Sequence, residues 1–232
     1  MVKNHIKRIR APKTWRIMRK SNTFITKPNP GAHNQSLGLS INTFLKEVVF
    51  ITKTTKETKY LLTKQKVIVN GKRIRDDKHS VGFLDIVSVP SAKKTFRVIV
   101  DSTGNIASKE VKDGENKLLL KITGKAPLKK DIFQINTMSG RNLIVKTSEA
   151  KKYKVGDSLI ISVPDNKIEK HISTDKGSHV FVFTGKHCGK TGSIEESNSK
   201  TVKIKTKSDS FETSKDYMIT IGKDKSEFDI AE

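Results

Sequence analysis

The sequence predicts an α+β protein, mostly β, assembled from several small modules. Three observations lead there. Of 232 residues only 34% are hydrophobic and 6% aromatic, a thin supply for one large core but enough for several small ones. Helical periodicity is confined to one stretch between residues 38 and 65. Beyond residue 95, short β-prone runs alternate with turns about every eight to twelve residues, the pattern of a small barrel or sandwich.

Residues 1–37 read as a basic extension. The first 46 residues carry ten Lys and Arg and no acid, Glu47 being the first carboxylate. Isolated apolar residues (Ile6, Ile9, Trp15, Ile17, Phe24, Ile25) are too few to bury a face of their own. A charge run of this kind is usually a solvated tail, yet Trp15 and the Pro28-Asn29-Pro30-Gly31 turn are wasted in a tail that touches nothing. The expectation is therefore an extension ordered by nucleic acid, its arginines on phosphates and Trp15 stacked or wedged.

Residues 38–94 read as a helix–helix–strand unit. Ser40 is placed to cap a short helix with Phe44, Leu45, Val48 and Val49 on one face. Thr54-Thr55-Lys56-Glu57 has capping-box spacing and opens a second helix through Tyr60, Leu61 and Leu62. Asn70-Gly71 between β-prone runs signals a hairpin, and a strand follows over Asp85 to Pro90. The hairpin brings Lys72, Arg73 and Arg75 towards the helix lysines, making one basic face.

Residues 95–170 read as a central β domain. Its strands are expected over 96–100, 117–122, 132–136, 143–145 and 159–163, with turns at Ser139-Gly140-Arg141-Asn142 and Gly156-Asp157. Residues 171–210 supply a strand at 179–183, a glycine-rich loop at 185–192 and an alternating strand at 201–205. Residues 211–232 add a strand at 217–221 and an acidic end; 209–232 hold seven acids and three lysines.

Forty-six Lys and Arg against 24 Asp and Glu give a net charge of +22. That excess is self-repulsive in a free protein and expected where the working state includes a polyanion. Apolar runs reach only four residues, too short for a bilayer helix, and the basic start is not followed by the apolar stretch of a secretory signal. A single cysteine, Cys188, excludes an internal disulfide framework and a Cys-rich zinc site, and points to a reducing compartment. The loop ending Gly189-Lys190-Thr191 is not a P-loop: Gly185 stands three residues before Gly189, and another strand follows instead of a helix. The six histidines show no metal-ligand spacing, and no nucleophile elbow is present. An enzyme, a cofactor and a small-molecule substrate are not expected.

Several segments, in order, resemble the archaeal and eukaryotic-type small-subunit ribosomal protein four family (S-four-E). His5-Ile6-Lys7-Arg8-Ile9-Arg10-Ala11-Pro12-Lys13-Thr14-Trp15 is similar to the family's opening, and Pro28-Asn29-Pro30-Gly31-Ala32-His33 to its next landmark, with Ala32 where a second proline is common. Val69-Asn70-Gly71-Lys72 and Val81-Gly82-Phe83-Leu84-Asp85-Ile86 resemble its S-four RNA-binding domain. Tyr153-Lys154-Val155-Gly156-Asp157 resembles its central domain, and the 185–192 loop with Ile194 resembles a KOW motif in an SH3-like barrel. The length is archaeal-like, without the longer carboxyl-terminal extension of eukaryotic members. The resemblance implies a structural constituent of the small ribosomal subunit, cytoplasmic and ribosome-bound, in contact with small-subunit ribosomal RNA (its 5′ region) and neighbouring ribosomal proteins, and with no membrane.

The residues expected to bind RNA are Lys7, Arg8, Arg10, Lys13, Trp15, Arg16 and Arg19 in the extension, and Lys56, Lys59, Lys72, Arg73 and Arg75 on the helix–hairpin face. Lys186 and Lys190 in the glycine loop complete the set. Two other readings compete: an RNA-modifying enzyme subunit, which needs a separate catalytic domain, and a KOW-type transcription or translation factor, which has no need of the long basic extension.

Overall fold

Ser40 ends the first internal strand and starts the first helix. In the computed structural model, which describes residues 5–111, 117–198, 200–206, 209–223 and 228, its hydroxyl accepts the Thr43 N–H at 3.3 Å. The chain divides into two units, residues 1–100 with 105–116 and residues 101–104 with 117–232.

In the first unit, β1 (Ile6–Lys7) pairs with β2 (Phe24–Ile25), and β3 (Gly38–Ser40) leads into α1 (Ile41–Thr43). The single short helix expected here opens instead into a π-helical turn, Phe44–Val48, closed by the Val49 N–H on the Phe44 carbonyl at 3.0 Å. The β-branched pair Val48 and Val49 crowds a tight α turn; the wider turn still buries Phe44 and Leu45. The helix α2 (Thr55–Lys64) has the expected capping box: the Thr54 hydroxyl accepts the Glu57 N–H, and the Glu57 carboxylate accepts from the N-cap backbone. Asn70 and Gly71, both at positive φ, turn β4 (Ile68–Val69) into β5 (Lys72–Arg73). Then follow β6 (Ser80–Gly82), β7 (Ile86–Val89), β8 (Lys94–Val100) and β9 (Ile106–Val111).

The main sheet runs β5-β4-β7-β8-β9, antiparallel throughout, and β3 pairs with β6. This moves the expected boundary at residue 94. Phe96 to Val100 are all buried, and a strand buried on both faces needs a neighbour on each side, here β7 and β9. The amino-terminal segment also belongs to this unit. Ala11 and Trp15 join Leu39, Phe44, Val98 and Ile106 in one core, so a segment too poor in apolar residues to make its own core completes another.

The second unit starts with β10 (Lys117–Lys129), whose first half pairs with β13 (Ser158–Ser162) and second half with β11 (Ile132–Thr137). With β12 (Asn142–Lys146) and β14 (Ile168–Ile172) the sheet order is β12-β11-β10-β13-β14, and a short helix, α3 (Thr147–Ala150), follows β12. A second sheet contains β15 (His179–Val182), β16 (Thr191–Ser197), β17 (Thr201–Lys205), β18 (Ser210–Ser214) and β19 (Met218–Gly222), ordered β18-β17-β16-β15-β19. The last module therefore runs past the expected limit of 210, because β19 supplies the partner of β15 that seals Val180 and Val182. The acidic carboxylates expected after it lie outside the described residues.

Lys121 ties β10 to the approach to β19, its ammonium donating to the carbonyls of Lys215 (2.5 Å) and Met218 (2.8 Å). Burial pulls its pKa down to about 8, with the Asp216 charge opposing. The glycine loop is fixed at Gly189, at φ +80°, whose N–H reaches the Val182 carbonyl at 2.7 Å. A Cβ there would stand 2.4 Å from the Ser102 Cα, inside the same unit. Gly189→Ala should cost roughly 1–2 kcal/mol from the left-handed backbone alone and more from the clash. A thermal melt that does not move would show that the loop does not need glycine there.

Candidate nucleic-acid interface

Fourteen residues are expected to meet RNA, and the structure sorts them by what their side chains already do. Lys7, Arg10, Lys13 and Arg16 are exposed. Arg8 is not: it is 3% exposed, its guanidinium 2.7 Å from the Glu47 carboxylate and 2.7 Å from the Met18 carbonyl. Arg19 is half-buried and donates to the carbonyls of Ile9 (3.3 Å), Ala11 (2.8 Å) and Pro12 (2.8 Å). Trp15 is 2% exposed, and its indole N–H is shared between the carbonyls of Gln35 and Gly38, each at 3.1 Å. Beside it, the Ile106 N–H meets the Thr14 carbonyl at 2.7 Å. These three places correct the expectation for Arg8, Arg19 and Trp15. The indole offers no ring face to a base, and both guanidiniums are spent on the segment's own backbone and on Glu47. Their work is to fold the segment so that its other cations face outward.

On the helix–hairpin face the structure brings β5 against α2. The Arg73 guanidinium donates to the Thr63 carbonyl at 2.8 Å, and the Lys59 ammonium lies 4.0 Å from the Asp77 carboxylate. The Lys59 side chain is 62% exposed and the long contact is worth under about 1 kcal/mol, so Lys59 is not withdrawn from a partner. Lys72 and Arg75 are exposed on the same arm. Lys56 lies one turn before Tyr60 and lines a cleft instead. Thr58 and Leu62 are the buried α2 positions, and Tyr60 is 59% exposed.

In the second unit, Lys186 and Lys190 are exposed on the glycine loop. The Lys190 ammonium sits 5.4 Å above the Phe211 ring, on which His187 also stacks at 4.1 Å. Burial pushes the Cys188 thiol pKa up, away from the reactive thiolate form.

The segments resembling family landmarks converge on buried polar hubs. Asp85 accepts from Asn70 Nδ2 (2.7 Å) and the Gly82 N–H (2.9 Å), and pairs with His33 Nε2 (2.8 Å). The His33 ring lies so close to Gly82 that a Cβ there would fall 2.3 Å from it. Burial alone would lower the His33 pKa, but the hydrogen bond and charge of Asp85 outweigh it and raise it. Asp157 repeats the device, accepting from the N–H groups of Lys154 (2.9 Å) and Thr174 (3.0 Å) and pairing with His171 (2.7 Å). Among the described residues, no group of His, Cys, Asp and Glu is arranged to hold a metal ion.

Comparison with known proteins places this architecture among ribosomal proteins. The model of Ribosomal family S4e matches residues 92–168, and that of the RS4NT (NUC023) domain matches residues 2–36. The "Small ribosomal subunit protein eS4" of Methanocella arvoryzae is 35% identical over 230 residues, covering 97% of this chain and 96% of that protein. Its namesake in Methanocaldococcus jannaschii is 33% identical over 231 residues, covering 95% and 94%. The crystal structure of the 30S ribosomal protein S4e from Thermoplasma acidophilum matches with a TM-score of 0.69 at 27% identity, over 80% of this chain and 95% of that one. This chain belongs to ribosomal family S4e, whose members are structural and not enzymes.

Proposed function

We propose that this chain is a structural constituent of the small ribosomal subunit, binding ribosomal RNA by phosphate neutralisation and shape recognition. Its place is on cytoplasmic ribosomes, beside other ribosomal proteins. The observation that carries this is the likeness, over almost the whole chain, to proteins named for the small ribosomal subunit. The geometry supplies a mechanism. RNA helices hide their major-groove edges, so a partner grips phosphates and 2′-hydroxyls, and the exposed cations sit on folded modules that fix their spacing. Residues 38–94 are read as an S-four RNA-binding domain. Residues 171–222 are read as a KOW-type SH3-like barrel, which the β18-β17-β16-β15-β19 order supports.

The test uses the full chain and small-subunit ribosomal RNA over a salt series. Affinity should fall steeply with salt, by about 0.9 in the log–log slope for each duplex phosphate neutralised. Replacing Lys7, Arg10, Lys13 and Arg16 together by Gln should flatten that slope by up to four such steps and leave thermal stability unchanged. A parent slope near zero sinks the mechanism; a variant slope equal to the parent's removes the amino-terminal segment from it. Deleting residues 1–35 is a poorer test, since it also removes Trp15 from the core.

A further inference from the structure

A cleft of about 690 Å³ opens on the first unit between α2, the 51–52 segment and residues 91–92. Its walls are largely apolar, from Ile51, Leu61, Ala92 and the ring of Tyr60, and Lys56, Glu57 and Gln65 also line it. Tyr60, in the lining, is 59% exposed, and Phe50, the chain neighbour of lining residue Ile51, is 76% exposed. Phe50 (φ 58°), Lys66 (φ 59°) and Lys93 (φ 50°) all hold the left-handed backbone that side chains of this size avoid. Each adjoins a residue lining the cleft, Ile51, Gln65 or Ala92. Each ends a helical turn, the usual place for this backbone, so the cleft is rimmed by three helix termini.

Charge decides the occupant. Lys56 lines the cleft, and Lys53, Lys64, Lys66 and Lys93 each adjoin a lining residue in the chain and are exposed. The one acid in the lining, Glu57, is engaged by the N–H of Lys53 (2.8 Å) and of Thr54 (3.4 Å) and by the Thr54 hydroxyl (3.0 Å). An apolar peptide would cover the walls but bring no counter-charge to Lys56 or to the exposed lysines that flank the lining residues in the chain. A duplex satisfies the ammonium groups but keeps its base faces stacked and out of reach. A single-stranded nucleotide matches both, with a flat apolar base for the walls and phosphates for the rim.

We infer that this cleft receives an unpaired RNA nucleobase, stacked on Tyr60, with its flanking phosphates held by Lys56 and the neighbouring lysines. The inference rests on the RNA-binding reading above and deepens it, adding single-strand recognition to a surface otherwise read as gripping helices.

The experiment compares two labelled probes on the full chain, a short oligouridylate and a blunt RNA duplex. Tyr60→Leu keeps an apolar side chain and the net charge but removes the aromatic face. It should weaken oligouridylate binding about five- to a hundredfold and leave duplex binding unchanged. Tyr60→Phe should bind both probes as the parent does. Ultraviolet crosslinking of the oligouridylate should map to Tyr60 or Phe50. The inference is overturned if Tyr60→Leu holds the oligouridylate as well as the parent, or if both probes weaken together. It is overturned too if the oligouridylate is inert and the cleft is covered only when a protein neighbour is added. A parent that binds the duplex but not the single strand refutes this inference alone, whereas one that binds neither also refutes the RNA-binding reading.

Discussion

Trp15→Ala should destabilise the first unit by about 3–5 kcal/mol, the usual cost of emptying a large aromatic site in a core. The indole packs in the same core as Phe44, Val98 and Ile106. Its N–H also serves the Gln35 and Gly38 carbonyls, which would be left without that donor. Domains of this size hold about 5–15 kcal/mol in all, so the loss is a large share of the total. A urea titration of the full chain should show a first transition moved to markedly lower denaturant, with Arg16→Gln as a neighbour that barely moves it. Were Trp15 an RNA-stacking residue, the result would invert: stability would be untouched and RNA affinity alone would fall.

Asp85→Ala should cost a comparable amount, about 3–5 kcal/mol for removing one partner of a buried ion pair, and the cost should depend on pH. The His33 pKa is raised above 6.5 in the folded chain, Asp85 overcoming the opposite pull of burial. The stability from this pair is therefore complete below pH 6.5 and is lost as the pH climbs through the folded-state value. His79 is shifted the other way by burial, with the charges of Asp85 and Asp76 holding it partly up. Removing Asp85 leaves the enclosed His33 and the half-buried His79 without that support, so the variant should weaken further on acidification. The difference between parent and variant should be greatest in mildly acid buffer and shrink towards alkaline pH. Denaturant midpoints measured across that range test it. A difference that is flat, or that grows towards alkaline pH, would refute the role given to the His33–Asp85 pair.

Local signals in the sequence were the readable ones. The Ser40 cap, the Thr54–Glu57 capping box and the Asn70-Gly71 turn are chemistry between residues a few positions apart, and each forms as its spacing implies. The strands at 117–122 and 132–136 lie within observed ones, and that at 159–163 overlaps β13 to within a residue at each end. What could not be read was sharing between distant segments. Trp15 and Arg8 sit in a run of cations, so composition assigns them to RNA, yet they belong to a core and an ion pair completed by Ile106 and Glu47. The boundary near residue 94 fails for the same reason: β8 looks like the opening of a new module until β7 and β9 are seen on either side. The segments that carry the family resemblance include the buried hubs at Asp85 and Asp157, so they mark what holds the modules together more than what those modules grip. The open cations, Lys7, Arg10, Lys13 and Lys72 among them, stand in those same segments, and nothing in the sequence tells them from the buried Arg8.

The seating of Trp15 beside Ile106 also sets an order of events during synthesis. The opening segment leaves the exit tunnel first but cannot close its core until β9 has been made. Closing so long a loop is an entropic cost met late. Until then a string of cations without a single carboxylate before Glu47 is displayed as loose chain, open to any nearby polyanion. The nascent protein is thus at its stickiest before it has a shape, and maturation of the first unit is the step that turns indiscriminate attraction into a defined grip.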